Sequence, residues 1–147
     1  MPRYELTPEM LAELPRPIPY PTPTAQPFWD ALARDELLLQ RCGACGAWVH
    51  YPRRRCTTCM SEDLAWEAVE PAGTIHAFTV THRPTAVVFA DQMPQVLAIV
   101  ELPNGVRLST TIVTDDPAAL RGGDAVVGVF DHADDRPTLL RFRPARG

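Results

Sequence analysis

The chain has 147 residues and no lysine: all fourteen basic residues are arginine. That substitution reads as the codon usage of a GC-rich genome rather than as function. Eighteen acidic residues outweigh the arginines, for a net charge of −4 and a pI near 5.5. This balance argues against a general nucleic-acid binder, whose footprint is basic. No run approaches the roughly eighteen consecutive apolar residues of a membrane span. There is no Gly-rich phosphate loop and no Gly-x-Ser-x-Gly elbow. The four histidines, at 50, 76, 82 and 132, are scattered. The paired acids Asp115-Asp116 and Asp134-Asp135 fall in turn-like stretches and read as solvated. The residues therefore offer no catalytic set, and the chain is not expected to be an enzyme on its own.

Cysteine is absent from all but one short stretch. All four lie within eighteen residues, as Cys42-Gly43-Ala44-Cys45 and Cys56-Thr57-Thr58-Cys59, separated by ten residues. Two Cys-x-x-Cys pairs supply four soft thiolates to the corners of one tetrahedron, the geometry zinc prefers. A single redox pair would not explain two motifs. A disulfide framework belongs to secreted chains, whereas Met1-Pro2-Arg3-Tyr4-Glu5 leads into a polar, proline-rich stretch. A reducing, cytoplasmic setting is therefore expected. A mononuclear iron centre also takes four thiolates, and this spacing fits both metals. Four cysteines close the shell, so the metal is expected to be structural. His50 reads as a strand histidine on the surface. Gly46 follows the first pair, but Met60 follows the second, which makes the second less regular. Arg53, Arg54 and Arg55 can offset the negative charge of the centre or meet phosphate.

Sixteen prolines, seven of them before residue 24, predict an extended N-terminal arm. Thr7-Pro8-Glu9 starts a short helix to about Leu14, and Thr24 is expected to cap a second helix bearing Phe28, Trp29 and Leu32. Leu37–Arg41, Trp48–Tyr51 and Leu64–Trp66 read as a three-stranded ribbon. From Gly73 a period of two sets in. Ile75, Ala77 and Thr79 are placed on one face of the first long strand, and His76, Phe78 and Val80 on the other. Gln95–Leu102 and Val106–Val113 follow, joined at Asn104-Gly105 by an expected type I′ turn. A connector at Asp115–Leu120 precedes strands at Asp124–Phe130 and Thr138–Phe142. The fold class is mainly β with N-terminal helices: a rubredoxin-like zinc ribbon followed by a five-stranded OB-fold barrel. The expected units are an arm (1–36), a ribbon (37–70) and a barrel (71–147). The 84–94 loop carries Val87-Val88-Phe89, apolar enough to face an interface. His82-Arg83 beside it is the best small polar site.

Phe28-Trp29 in a proline-containing arm, Cys42-x-x-Cys45-Gly46, Pro52, Cys56-x-x-Cys59, Trp66, Gly73-Thr74-Ile75 and Gly105-Val106-Arg107-Leu108 come in an order that resembles the DUF35 family. These are zinc-ribbon/OB-fold, acyl-CoA-associated proteins, and the resemblance spans roughly residues 24 to 144. It departs from the pattern at Met60 and at the plain threonines of the second pair. It implies an accessory partner of thiolase-fold enzymes. Such enzymes include lipid-transfer-type aldolases acting on steroid side-chain CoA thioesters, and thiolases coupled to hydroxymethylglutaryl-CoA synthase. Some members join a MaoC-like hydratase. Catalytic residues then lie on the partner, and a heterotetramer of two plus two chains is expected. Phe28, Trp29, Arg53, Arg54, Arg55, His82, Arg83 and Phe89 are the candidate contacts to partner or CoA. Two other classes remain open. One is a single-strand nucleic-acid binder using a groove of Arg83, Arg107, Arg141 and Arg143. The other is a stand-alone acyl-CoA-binding protein or metal-dependent enzyme.

Overall fold

The computed structural model describes residue 7 and residues 15–145. The expected first helix lies outside these residues. The second is present as α1 (Gln26–Leu32), but Thr24 does not cap it: Ala25 holds that position with no side-chain bond. Pro27 in the first turn, with its φ already helical, replaces the hydroxyl as the start signal. Phe28, Ala31 and Leu32 are its buried face. No helix among the described residues is long and apolar enough to cross a membrane.

Strands β1 (Leu37–Cys42), β2 (Trp48–Val49) and β3 (Leu64–Val69) form the ribbon in the order β2-β1-β3. Leu37 and Leu39 on β1 are buried. Between them and the metal-binding turn, Gln40 is a buried amide only 5% exposed. Its Oε1 accepts from the Arg53 backbone N–H at 2.7 Å, and its Nε2 donates to the Arg53 carbonyl at 3.0 Å. Both polar groups of one loop residue are thereby satisfied without water, as burial requires.

The remaining strands are β4 (Ala72–Thr81), β5 (Gln95–Glu101), β6 (Arg107–Ile112), β7 (Ala125–Ala133) and β8 (Arg136–Pro144). They close into a barrel in the order β4-β5-β6-β8-β7, the OB-type arrangement. The turn of Pro117–Ala119 bridges β6 to β7. Gly73 fits because a Cβ there would lie 2.3 Å from the Glu101 carbonyl oxygen.

Two local expectations are corrected. The alternation along β4 breaks at a bulge between Ile75 and Ala77. The extra residue turns Phe78 and Val80 onto the same core as Ile75, and leaves Ala77 and Thr79 exposed. The β5–β6 hairpin is not a type I′ turn, because only Gly105 takes a positive φ (83°) and Asn104 does not. The Gly105 N–H donates to Leu102 O and the Leu102 N–H to Val106 O. That is a three-residue loop with Pro103 in the turn and Gly105 in the bulge position. The 84–94 loop holds one 3₁₀ stretch, Val87–Gln92, with Val87 exposed and Phe89 half-buried.

One hydrophobic core runs through the whole molecule. It joins Phe28 and Leu32 of α1, Leu37 and Leu39 of the ribbon, and Ile75, Val100, Val126 and Phe142 of the barrel. A second cluster of Cys42, Cys56 and Val49 sits under the metal-binding turns.

Candidate functional site

The four cysteines converge. All four Sγ atoms lie within 4.8 Å of one another, with Cys42–Cys59 and Cys45–Cys56 each at 3.6 Å. Four sulfurs about 2.3 Å from a central zinc would stand about 3.8 Å apart along each tetrahedral edge. The cysteines are free thiols, and 3.6 Å is far beyond a disulfide bond. The donor set and spacing fit a closed Cys₄ shell.

The backbone makes the same turn twice. Gly46 N–H donates to Cys42 O at 2.8 Å, and Met60 N–H donates to Cys56 O at 3.1 Å. Gly46 has φ 74° and Met60 has φ 64°. Met60 therefore adopts the left-handed conformation that glycine serves in the first turn, and the two turns are equivalent despite their sequences. Backbone N–H groups of Cys59 and Thr58 lower the Cys56 thiol to about 6. Cys45 behaves oppositely: the Ala47 N–H favours its thiolate, but the Cys59 sulfur and burial push it up to about 12. Four neighbouring sulfurs do not all ionise unaided, and a divalent cation supplies the missing positive charge. Cys42, Cys45, Cys56 and Cys59 would hold one zinc ion, and four thiolates would leave it no open position for chemistry.

His50 is not on the ribbon surface, as the sequence suggested. Its ring centroid lies 5.8 Å from that of Phe28 and 5.6 Å from that of Tyr51, and burial lowers its pKa. Phe28 also meets Trp29 edge-on at 5.4 Å, and Trp29 Nε1 donates to Tyr51 Oη at 2.9 Å. This aromatic group walls one side of a cavity of about 640 Å³. The cavity lies along β6 and β8, which pair in parallel with a single register position, Ile112 with Phe142. Leu108 and Leu140 face it from the two strands, and the arm residues Arg16 and Pro17 and loop residue Phe89 complete it.

Phe28, Trp29 and Phe89, three of the candidate contacts, thus come together. The others do not join them. Arg53, Arg54 and Arg55 are exposed on the ribbon, Arg55 pairing with Glu62 at 2.6 Å. His82 and Arg83 are exposed after β4, where the Arg83 carbonyl accepts from Thr81 Oγ1. The arginines on the cavity are instead Arg16, Arg107, Arg136 and Arg141. Arg107 pairs with Glu101 at 2.6 Å, and its hydrogen bond holds the Glu101 carboxyl below the usual range. Arg136 and Arg141 share one carboxylate, Asp131, at 2.8 and 2.7 Å. The position of Arg141 on β8 was legible, but its partner and the cavity depend on which strands flank β8.

Comparison with known proteins gives consistent matches. The rubredoxin-like zinc ribbon domain of ChsH2 matches residues 29–65, and the C-terminal OB-fold domain of ChsH2 matches residues 66–131. A probable enoyl-CoA hydratase alpha subunit of Thermomonospora curvata is 40% identical over 121 residues, covering 80% of this chain but only 37% of that protein. A DUF35 domain-containing scaffold protein of Methanothermobacter thermautotrophicus is 35% identical over 111 residues, covering 74% of this chain and 82% of the relative. Among solved structures, a chain of the Ltp2-ChsH2(DUF35) aldolase superposes with a TM-score of 0.77 at 34% identity, covering 86% of this chain and 98% of that one. A DUF35 protein of Sulfolobus solfataricus of unknown function, at 15% identity and a TM-score of 0.61, shares the fold. With its four-cysteine ribbon, its closed five-stranded barrel and these matches over most of its length, the chain belongs to the DUF35 family, as a ChsH2-type zinc ribbon joined to an OB-fold domain.

Proposed function

We propose that this chain is a non-catalytic accessory subunit of a thiolase-fold acyl-CoA enzyme. The partner is an aldolase or thiolase of the lipid-transfer type, acting in steroid or lipid side-chain degradation. The observation that carries this reading is the match over 98% of a chain belonging to an aldolase made with Ltp2. The site chemistry agrees with it. The metal shell is closed, and the sequence supplies no nucleophile–base set. The chain's part is to stabilise its partner and to help shape the acyl-CoA site, in an assembly of two plus two.

In this reading the exposed Arg53 and Arg54, with His82 and Arg83, are candidate contacts for partner carboxylates or CoA phosphates, since guanidinium forks bind both well. Phe28, Trp29 and Phe89, which line one cavity between the arm, the 84–94 loop and the barrel, are candidate apolar contacts for the partner or for CoA. An enoyl-CoA hydratase is a second partner class, supported by the 40% identity to such a subunit.

The test is tagged expression of the chain in its own cells, then pull-down and mass spectrometry. A thiolase-like protein in equal amount, with aldol cleavage or thiolysis of an acyl-CoA by the pair and none by this chain alone, is the expected result. Purification as a lone monomer would sink the proposal, as would turnover by the isolated chain. Salt-sensitive binding of single-stranded oligonucleotides would favour the nucleic-acid reading instead.

A further inference from the structure

The cavity at the β6–β8 seam has a feature that a folding role does not explain. Among the described residues, two buried side-chain nitrogens lack a hydrogen-bond partner, His50 Nδ1 and Arg141 Nε. Both side chains line this one cavity. Buried polar groups are almost always satisfied, and of these two only His50 Nδ1 has no charged atom against it, because Arg141 Nε lies beside the Asp131 carboxylate. Arg141 Nε is 2.7 Å from Asp131 Oδ2, yet it is not aligned to donate to it. The contact is ionic, and the planar guanidinium keeps donors unused. Its Nη1 reaches Thr111 Oγ1 at 3.3 Å, and its Nη2 has no partner among the described residues.

Charge points the same way. Arg16 is neutralised by Asp91 and Arg107 by Glu101. Arg136 and Arg141 have Asp131 between them, and all three side chains are less than one third exposed, at 22%, 23% and 30%. Arg136 is committed to the protein, with Nη1 on the carbonyls of Asp131 and Pro137. One half-buried positive charge is left over, and it sits on Arg141. The opposite wall is aromatic and aliphatic. The volume, about 640 Å³, lies within the range of small-molecule sites.

We infer that this cavity binds an amphipathic monocarboxylate, its apolar body against Phe28, Trp29 and Leu140 and its carboxylate on Arg141. A single surplus charge matches a carboxylate rather than a polyphosphate. A guanidinium edge meets a carboxylate with two parallel N–H···O bonds. The inference is separate from the partner reading, because it concerns a site built wholly from this chain.

The test uses the zinc-loaded chain and sodium decanoate, followed by calorimetry and by tryptophan fluorescence, to which Trp29 on the cavity wall contributes. Saturable binding of one decanoate per chain is expected, with 1-decanol at least tenfold weaker. Arg141→Gln should weaken decanoate at least tenfold while leaving 1-decanol unchanged. Leu139→Trp, which narrows the cavity from a half-buried position, should abolish both. Should Arg141→Gln not fold, the decanol comparison and Leu139→Trp decide alone. The inference is overturned by absent saturable binding to the wild-type chain, by decanol equal to decanoate, by displacement of decanoate by equimolar phosphate, or by binding that survives Leu139→Trp.

Discussion

Exchanging the residues that close the two metal-binding turns should move stability in opposite directions. Gly46 and Met60 occupy equivalent positions, at φ 74° and 64°. A residue with a Cβ held in the left-handed region costs roughly 1–2 kcal/mol. Glycine gives back about 0.4–1 kcal/mol of that through the larger freedom of its unfolded chain. Met60 is 62% exposed, so its side chain contributes little burial to lose. Met60→Gly should therefore stabilise the zinc-bound protein by about 0.5–1 kcal/mol. A Cβ at Gly46 would meet nothing within 4 Å, so Gly46→Met should cost a similar amount through backbone strain alone. For a chain of this size each change corresponds to about 1–4 °C in Tm, upward and downward respectively. Calorimetric melting in excess zinc reads the shift. Competition with a chromophoric chelator should show zinc affinity following it by about two- to fivefold, since metal binding and ribbon folding are coupled. A lower Tm for Met60→Gly, or an unchanged one for Gly46→Met, would refute the reasoning.

Elemental analysis should return one zinc per chain, and stripping it should lower the melting temperature by about 10 °C or more, because thiolate–zinc bonds supply much of the ribbon's folding free energy. Gly73→Ala places a methyl 2.3 Å from the Glu101 carbonyl and should cost about 1–3 kcal/mol in denaturant unfolding. Gln40→Leu removes both partners of the Arg53 backbone and should cost about 1–3 kcal/mol, with faster hydrogen exchange at the Arg53 amide. Glu101 is held ionised by Arg107, so it binds its proton less readily folded than unfolded. Its contribution is present above the ordinary carboxylate range and is lost as pH falls through the depressed folded value. Arg107→Gln should raise the Glu101 midpoint in a carbon-detected NMR titration, with only a small change in acid stability because both side chains are partly exposed.

The ribbon was readable from spacing because Cys-x-x-Cys fixes ligand geometry locally. The barrel strands were readable because apolar alternation survives along most of each one. What failed to show was set by contacts distant in sequence. The bulge after Ile75 depends on how β4 meets both β5 and β7, and no residue at 76 announces it. Asn104-Gly105 suggested a two-residue turn, but Pro103, locked at negative φ, suits the first central position of an ordinary turn and moved the left-handed residue to Gly105 alone. His50 looked like surface decoration, because its burial comes from Phe28, twenty-two positions earlier. The Asp131–Arg141 pair was hidden in the same way, since β7 and β8 must first be set side by side.

The continuous core through helix, ribbon and barrel bears on how this chain can be recombined. A cut near residue 36 or residue 70 would strip the apolar faces of Leu37 and Leu39 from their neighbours, leaving a sticky ribbon on one side and an unfilled barrel on the other. The two parts match separate sequence models, yet they share one apolar core. Gene fusions that carry the family into longer polypeptides would have to move helix, ribbon and barrel together. Splitting them in a designed chimera should yield insoluble fragments rather than two portable modules.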